Sequence, residues 1–80
     1  MEKRKVKRHE YDLKKSGEAM RTARMNAGFT IKEVRDYLDI GSLQAIYKWE
    51  AGKGFPQANR LMQLSDLYGV SMEKLIIKKE

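Results

Sequence analysis

Apolar residues recur at the spacing of α-helices in this chain, and glycines separate one periodic segment from the next. From Ser16 onward the larger apolar side chains lie three or four positions apart, which places them on one face of a helix. The glycines between these segments are Gly28, Gly41, Gly52, Gly54 and Gly69. No stretch shows the two-residue alternation of a β-strand. The pattern therefore predicts an all-α fold of five short helices.

The first two helices have clear start and stop signals. Helix one is predicted over residues 17–27, and Gly28 suits the left-handed position that follows a helix. Thr30 and Glu33 have the spacing of a capping box, so helix two begins near Ile31. The residues predicted to face inward from these two helices are Met20, Ala23, Ala27, Val34, Tyr37 and Leu38.

Three more helices follow. Ser42 is a predicted cap for helix three, over residues 43–51. Pro56 is placed where helix four can begin, and Gly69 ends it. Ser71 is the predicted cap of a short last helix. The residues predicted to face inward are Ile46, Trp49, Leu61, Leu64, Tyr68 and Ile76, whereas Gln44, Tyr47 and Lys48 point away from the core.

Length and composition restrict the class of protein. Eighty residues are enough for one small domain, and the absence of cysteine means that packing alone must stabilise it. The net charge of +6 and the isoelectric point near 9.7 favour a polyanionic partner, nucleic acid first. Neither a membrane span nor a signal peptide is expected, so we predict a soluble, cytoplasmic protein.

Most of the excess positive charge lies near the N-terminus. Residues 1–15 carry seven basic and three acidic side chains, a net +4, whereas the other sixty-five residues carry a net +2. We predict a basic, flexible extension over residues 1–15, a helical domain over residues 16–77 and a tail over residues 78–80. The extension is either a solubilising tail or an arm that lies along phosphates, and we favour the arm. The basic residues of the predicted arm are Lys3, Arg4, Lys5, Lys7 and Arg8.

From Gly17 to Ile76 the order and spacing of many residues are those of one known family. They are Met20, Arg21 and Arg24; Gly28, Phe29 and Thr30; Val34 and Leu38; the run from Ile46 to Gly52; and Pro56, Leu61, Leu64 and the run from Tyr68 to Ser71. This pattern resembles the phage-repressor-like helix-turn-helix family, the Cro/repressor and XRE type. The resemblance covers about three quarters of the chain and implies a compact, lambda-repressor-like domain of five helices.

The resemblance also implies roles for individual residues. Helix three, residues 43–50, would be the recognition helix in the DNA major groove. Its base-contacting residues would be Leu43, Gln44, Tyr47 and Lys48. The residues implied to contact phosphate are Ile31, Lys32, Ser42, Lys53 and Asn59. Glu50 would form a structural ion pair with Arg24.

The chemistry of the outward face of helix three agrees with these roles independently. A glutamine can bond adenine through N6 and N7, a lysine can donate to guanine O6 and N7, and a leucine can pack on a thymine methyl group. The alternative is that Gln44 and Lys48 are simply solvated surface, because any exposed helix face is polar. Tyr47 favours the DNA-contacting interpretation, since a large aromatic side chain faces away from the core.

The sequence departs from the usual pattern of this family at three places. Ile31 replaces the glutamine that is common at the start of helix two, so only a backbone donor remains there. One additional residue separates Leu38 from Ile46, which lengthens the turn over residues 39–42. Arg35 occupies a site usually filled by alanine, and its aliphatic stem is expected to lie along the interface between helices two and three.

The sequence therefore predicts a sequence-specific regulator of transcription, most simply a repressor, that binds double-stranded DNA as a homodimer on a palindromic operator. An alternative is a protein-interaction module, such as an antitoxin or adaptor, that uses an apolar patch of Leu75, Ile76 and Ile77. A third is sequence-indifferent binding through the basic arm alone. No cofactor, metal or small-molecule effector is expected. Nor is catalysis, because the single histidine, His9, lies in the extension.

Overall fold

The computed structural model describes residues 2–80, which contain four α-helices and one 3-10 helix. The helices are α1 (Leu13–Ala27), α2 (Ile31–Leu38), α3 (Gln44–Glu50), α4 (Ala58–Tyr68) and the C-terminal 3-10 helix (Met72–Lys74). The all-α prediction is confirmed. The prediction of a fifth α-helix is wrong, because that segment makes a single 3-10 turn before the chain becomes extended to pair with the N-terminal segment.

One apolar core joins all of these elements. Its buried members are Met20, Val34, Leu38, Ile46, Leu61, Leu64, Tyr68 and Leu75. Trp49 and Phe29 pack against this cluster and are partly buried. Within residues 2–80, no helix has the length and apolar character needed to cross a membrane.

Tyr37 is an exception to the predicted inward face of α2. It is 51% exposed, whereas Val34 and Leu38 are buried. At 100° per residue, Val34 and Leu38 lie 40° apart, but Tyr37 lies a further 60° beyond Val34 on the side away from Leu38. The spacing of three and four residues therefore assigned Tyr37 to the buried face of α2, although this position faces solvent.

Helix α1 begins four residues earlier than predicted. The Asp12 carboxylate accepts a hydrogen bond from the Lys15 amide at 2.9 Å, which caps the helix ahead of Leu13. Residues 13–15, assigned to the basic extension from the sequence, therefore belong to α1. Residues 2–10 have exposed side chains and no regular secondary structure, and Met1 of the predicted extension lies outside the described residues.

The capping signals between α1 and α2 are confirmed. Gly28 has a φ of 83° and closes α1 through bonds from its amide to the Arg24 and Met25 carbonyls. Thr30 Oγ1 accepts from the Glu33 amide at 3.1 Å, and Glu33 Oε1 accepts from the Thr30 amide at 3.0 Å. This reciprocal capping box fixes the first residue of α2.

The starts of the later helices differ slightly from the predicted ones. α3 begins at Gln44, although the Ser42 hydroxyl does accept from the Gln44 amide at 3.0 Å. α4 begins at Ala58 because Gln57, after Pro56, is still extended, with a ψ of 161°. Ser71 makes no side-chain capping bond.

A close backbone contact joins α1 to the end of α3. An ideal Cβ at Gly17 would lie 2.5 Å from the Trp49 carbonyl oxygen and 2.8 Å from that of Glu50. Gly17 thus permits a helix approach that no other residue type allows. The contact fixes the distance between α1 and α3.

An ion pair reinforces the same interface. The Arg24 guanidinium donates to both Glu50 carboxylate oxygens, from Nε at 2.7 Å and from Nη2 at 3.1 Å, and to the Phe29 carbonyl at 2.9 Å. The side chain of Arg24 is only 13% exposed and that of Glu50 only 8% exposed. Arg24 and Glu50 therefore form the ion pair that the family resemblance implied, and the pair connects α1, the α1–α2 turn and α3.

We expect Gly17→Ala to destabilise the protein by about 2 kcal/mol or more, because the new methyl group meets backbone atoms that cannot rotate away. Gly41→Ala is the matched control, since an added Cβ there meets no atom within 4 Å and its φ is not positive. It should change stability by less than about 0.5 kcal/mol. Urea denaturation measures both values, and equal stabilities of the two variants would contradict the close approach of α1 and α3.

We expect Glu50→Ala to cost about 3 kcal/mol, because it leaves the guanidinium of Arg24 mostly buried without its carboxylate. The control is Asp36→Asn, which removes the partner of Arg35 from an exposed pair and should cost less than about 1 kcal/mol. Thermal unfolding of the two variants measures the difference. A Glu50→Ala variant as stable as Asp36→Asn would show that the ion pair does not hold α3 in place.

Candidate nucleic-acid interface

Helix α3 has one face in the core and one in solvent. Ile46 is 1% exposed and Trp49 packs against the core, whereas Tyr47 is 57% exposed and Gln44 and Lys48 are also exposed. At 100° per residue, Gln44, Tyr47 and Lys48 fall within a 100° sector opposite Ile46. An amide, a phenol and an ammonium group thus project together from one side of a short helix.

Leu43 and Ser42 lie at the start of this face. Leu43 immediately precedes α3 and is half-buried, so only part of its side chain is available to a ligand. Ser42 is exposed, and its hydroxyl accepts the hydrogen bond from the Gln44 amide. The structure therefore places Gln44, Tyr47 and Lys48 on one exposed face of α3, with Leu43 immediately before the helix.

The residues predicted to contact phosphate lie at the ends of the elements that precede and follow α3 in the chain. Lys32 at the start of α2, Lys53 in the loop after α3, and Asn59 in the first turn of α4 are exposed. Ile31 is half-buried and packs against the core, so its side chain is a core contact and only its amide is offered to a ligand. The Ile31 and Lys32 amides belong to the first turn of α2, where N–H groups have no acceptor within the helix itself.

The lengthened turn between α2 and α3 has a defined conformation. Asp39 adopts a φ of 54° and ends α2, and the Ile40 amide donates to the Arg35 carbonyl at 3.3 Å. Arg60 of α4 donates from Nη1 to the Leu38 carbonyl at 2.7 Å. α2 is thereby connected to α4 at the point where the turn toward α3 begins.

The side chain of Arg35 is half-buried, and its guanidinium donates to Asp36 Oδ1 at 2.9 Å. The expectation that the charged group would reach the protein surface agrees with this exposed pair. Asp36 thus partly neutralises a cation close to the turn.

The environment between α1 and α3 favours the charged form of Arg24. Hydrogen bonding to Glu50 raises the pKa of the Arg24 guanidinium, against the opposing effect of burial. Burial also raises the pKa of the nearby Tyr68 hydroxyl, and the Glu50 carboxylate acts in the same direction. Arg24 therefore remains protonated and Tyr68 neutral over the physiological pH range.

Sequence reasoning did not identify the contacts that hold the residues before α1. Tyr11 lies against Phe55, with ring centroids 4.4 Å apart, and pairs with Lys78 in an isolated antiparallel bridge. The basic residues Lys3 to Arg8 are exposed. Tyr11 is the only tyrosine, tryptophan or phenylalanine of the N-terminal segment, which was the one available signal that this part of the segment packs on the domain.

Comparison with known proteins gives a consistent result. Residues 20–75 match the helix-turn-helix family. The HTH-type transcriptional regulator ImmR of Bacillus subtilis (strain 168) is 36% identical over 64 residues, which are 80% of this chain and 50% of ImmR. The chain thus spans about half the length of that curated relative.

A solved structure shows the same fold. The DNA-binding domain of BldD superposes with a TM-score of 0.68 and 24% sequence identity, over 81% of this chain and 93% of the BldD domain. Together with the family match over residues 20–75 and the 36% identity to ImmR, the four helices and their capping signals lead to one conclusion. The chain belongs to the phage-repressor-like, XRE-type helix-turn-helix family.

Proposed function

We propose that this protein is a sequence-specific regulator of transcription that places α3 in the major groove of double-stranded DNA. The observation that carries the proposal is the exposed sector of Gln44, Tyr47 and Lys48 on a helix whose opposite side is fixed by Gly17 and Arg24. The major groove is wide enough for one α-helix. A helix that is held rigidly and presents polar groups outward suits that groove.

Each residue of this face has a chemically suitable partner among the bases. The Gln44 amide can bond adenine N6 and N7, and the Lys48 ammonium can donate to guanine O6 and N7. The exposed part of Leu43 can pack on a thymine methyl group. Tyr47 can lie against sugar or base while its hydroxyl bonds a phosphate.

Phosphate contacts would surround these bases. Lys53 and Lys32 provide cations, Ser42 and Asn59 provide side-chain hydrogen-bonding groups, and the start of α2 provides the backbone amide of Ile31. Such contacts fix the orientation of the protein on the duplex without reading its sequence. The arm residues Lys3, Arg4, Lys5, Lys7 and Arg8 would add further phosphate contacts.

A single seven-residue helix reads only a few base pairs, so we propose that two copies bind a palindromic operator. Half-sites about 34 Å apart would place both copies of α3 on the same side of the duplex. Occupation of an operator in this way would make the protein a repressor that acts in the cytoplasm.

The structure removes the observation that favoured a protein-interaction module. For that alternative, Leu75, Ile76 and Ile77 were the apolar patch that could serve as the docking surface. Leu75 is 0% exposed in the core, and Ile76 and Ile77 are partly buried. The Ile77 amide and carbonyl bond to Ser16 and Asp12, so this segment is part of the domain's own packing.

Gln44→Ala should lose preference at one base pair per half-site when it and the wild type select sequences from a randomised duplex pool at fixed salt. The expected loss of discrimination is about 1 to 3 kcal/mol at that position, with little change in thermal stability, because Gln44 is exposed. Asn26→Ala on α1 is a matched amide control and should select the wild-type site. A wild-type pool that stays random would exclude the proposed function, and an unchanged Gln44→Ala site would exclude the role of Gln44.

Lys53→Ala should weaken binding to every sequence by a similar factor, because a phosphate contact carries no base information. The slope of log K against log salt should become shallower by about 0.9. Lys74→Ala is the matched control, since Lys74 lines a shallow groove with Ala19, Thr22 and Asn26, on the side of α1 opposite Gly17. Equal slopes for the two variants in a fluorescence anisotropy titration would argue against a phosphate contact by Lys53.

A further inference from the structure

The short segment of residues 10–12 is fixed to the C-terminal end of the chain. The Asp12 amide donates to the Ile77 carbonyl at 2.6 Å, and the Lys79 amide donates to the Glu10 carbonyl at 2.8 Å. The Ile77 amide in turn donates to Ser16 Oγ, a fully buried hydroxyl in α1, at 2.9 Å. Backbone bonds on both sides of Tyr11 thus determine where the N-terminal segment leaves the domain.

The same segment also contacts the loop between α3 and α4, residues 51–57. The Tyr11 and Phe55 rings lie 4.4 Å apart. Gly52, with a φ of 73°, approaches α1 so closely that an ideal Cβ would lie 2.7 Å from Lys14 Cα. The start of α1 and the residues before it are therefore packed against this loop.

The α3–α4 loop also connects to the exposed face of α3. An ideal Cβ at Gly54 would lie 3.3 Å from Lys48 Cε and 3.5 Å from Lys48 Cδ, so the aliphatic stem of Lys48 runs along the loop backbone. Lys53, the proposed phosphate contact, lies between Gly52 and Gly54. A continuous series of contacts thus leads from a proposed base-reading side chain, through the loop, to Tyr11.

Residues 2–9, which precede this fixed point, are exposed and strongly basic. They contain five cationic side chains and the single acidic residue Glu2, a net charge of +4. Eight extended residues can reach about 26 Å, the length of about seven or eight base pairs at ~3.4 Å per step. The segment is therefore long enough to reach phosphates that flank the base pairs that α3 can read.

We propose that residues 2–9 form a directed DNA-binding arm, whose root at Tyr11 is held against the α3–α4 loop so that the arm follows the flanking backbone on the side contacted by Lys53. This inference rests on the proposed binding of DNA by α3. A fixed root restricts the region that the arm can occupy, which raises the effective concentration of its cations at one flank of the site. Tyr11 is thus a positioning residue for the arm.

The absence of cysteine in the chain permits a direct test. Glu2→Cys gives a single attachment point for an iron chelate, which cleaves nearby DNA strands. On a duplex carrying the selected site, we expect cleavage confined to a cluster of nucleotides in the flank next to the Lys53 contact. Adding Tyr11→Ala should spread the cleavage over a wider region, and Tyr11→Phe, which keeps the ring against Phe55, should restore the cluster.

A second measurement tests the charge of the arm and does not need the iron chelate. Replacing the five basic residues by glutamine should make the salt slope shallower by about 4 to 5, because each phosphate that a cation neutralises contributes about 0.9 to the slope. Lys74→Gln is the control for the removal of a cation elsewhere on the surface and should leave the slope unchanged. Circular dichroism of each variant establishes that the helices are intact.

These outcomes separate the arm from the function of α3. Three results would each overturn the directed arm. They are diffuse cleavage with the native Tyr11, an unchanged cleavage cluster in a folded Tyr11→Ala variant, and an unchanged salt slope for the neutral arm. If the sequence preference at Gln44 persists in those cases, the proposed function stands while the arm inference fails. If no sequence preference exists for the wild type, the proposed function itself fails.

Discussion

The contact between α1 and the end of α3 is the constraint that determines the arrangement of the other elements. Gly17 lets the backbone of α1 approach the Trp49 and Glu50 carbonyls, and Arg24, two turns further along the same face of α1, bonds the Glu50 carboxylate. The Gly17 contact sets the distance between α1 and α3, and the ion pair between Arg24 and Glu50 prevents α3 from sliding or rotating. Since Ile46 is buried on the same side, Gln44, Tyr47 and Lys48 have only the solvent side to occupy. The exposed face of α3 is thus determined by the contacts that its opposite face makes with α1 and the core.

The α2 helix and the turn that leads into α3 are held by different groups from those that hold the end of α3. The capping box of Thr30 and Glu33 fixes the first turn of α2, and Arg60 binds the Leu38 carbonyl at its last turn. Asp39 ends α2 in a left-handed conformation. An aspartate tolerates that conformation better than most residues. The turn between α2 and α3 therefore begins from a well-supported helix end.

The sequence predicted those features that depend on local chemistry. The capping box, the left-handed Gly28 and the buried faces of α3 and α4 follow from residue type and helical spacing, and the structure confirms them. Three features were missed or misassigned: one because the predicted face of α2 was drawn too wide, and two because they depend on distant contacts. Tyr37 is outside the inward sector of α2, the segment after Ser71 stops after one turn, and Tyr11 packs on Phe55. Pairing between the two ends of a chain, as at Tyr11 and Lys78, leaves no periodic signal in either segment. The exposure of the candidate site follows from the spacing of α3, but its DNA contacts remain predictions.

Methylation interference on a selected duplex distinguishes binding of the exposed face of α3 in the major groove from any other mode of binding. Methylation of guanine N7 adds a group in the major groove, and methylation of adenine N3 adds one in the minor groove. If α3 lies in the major groove and two copies bind as proposed, N7 methylation should block binding in two clusters about 10 base pairs apart, one for each copy of α3. Binding that tolerates N7 methylation at every position, but is blocked by methylation of adenine N3, would contradict that placement.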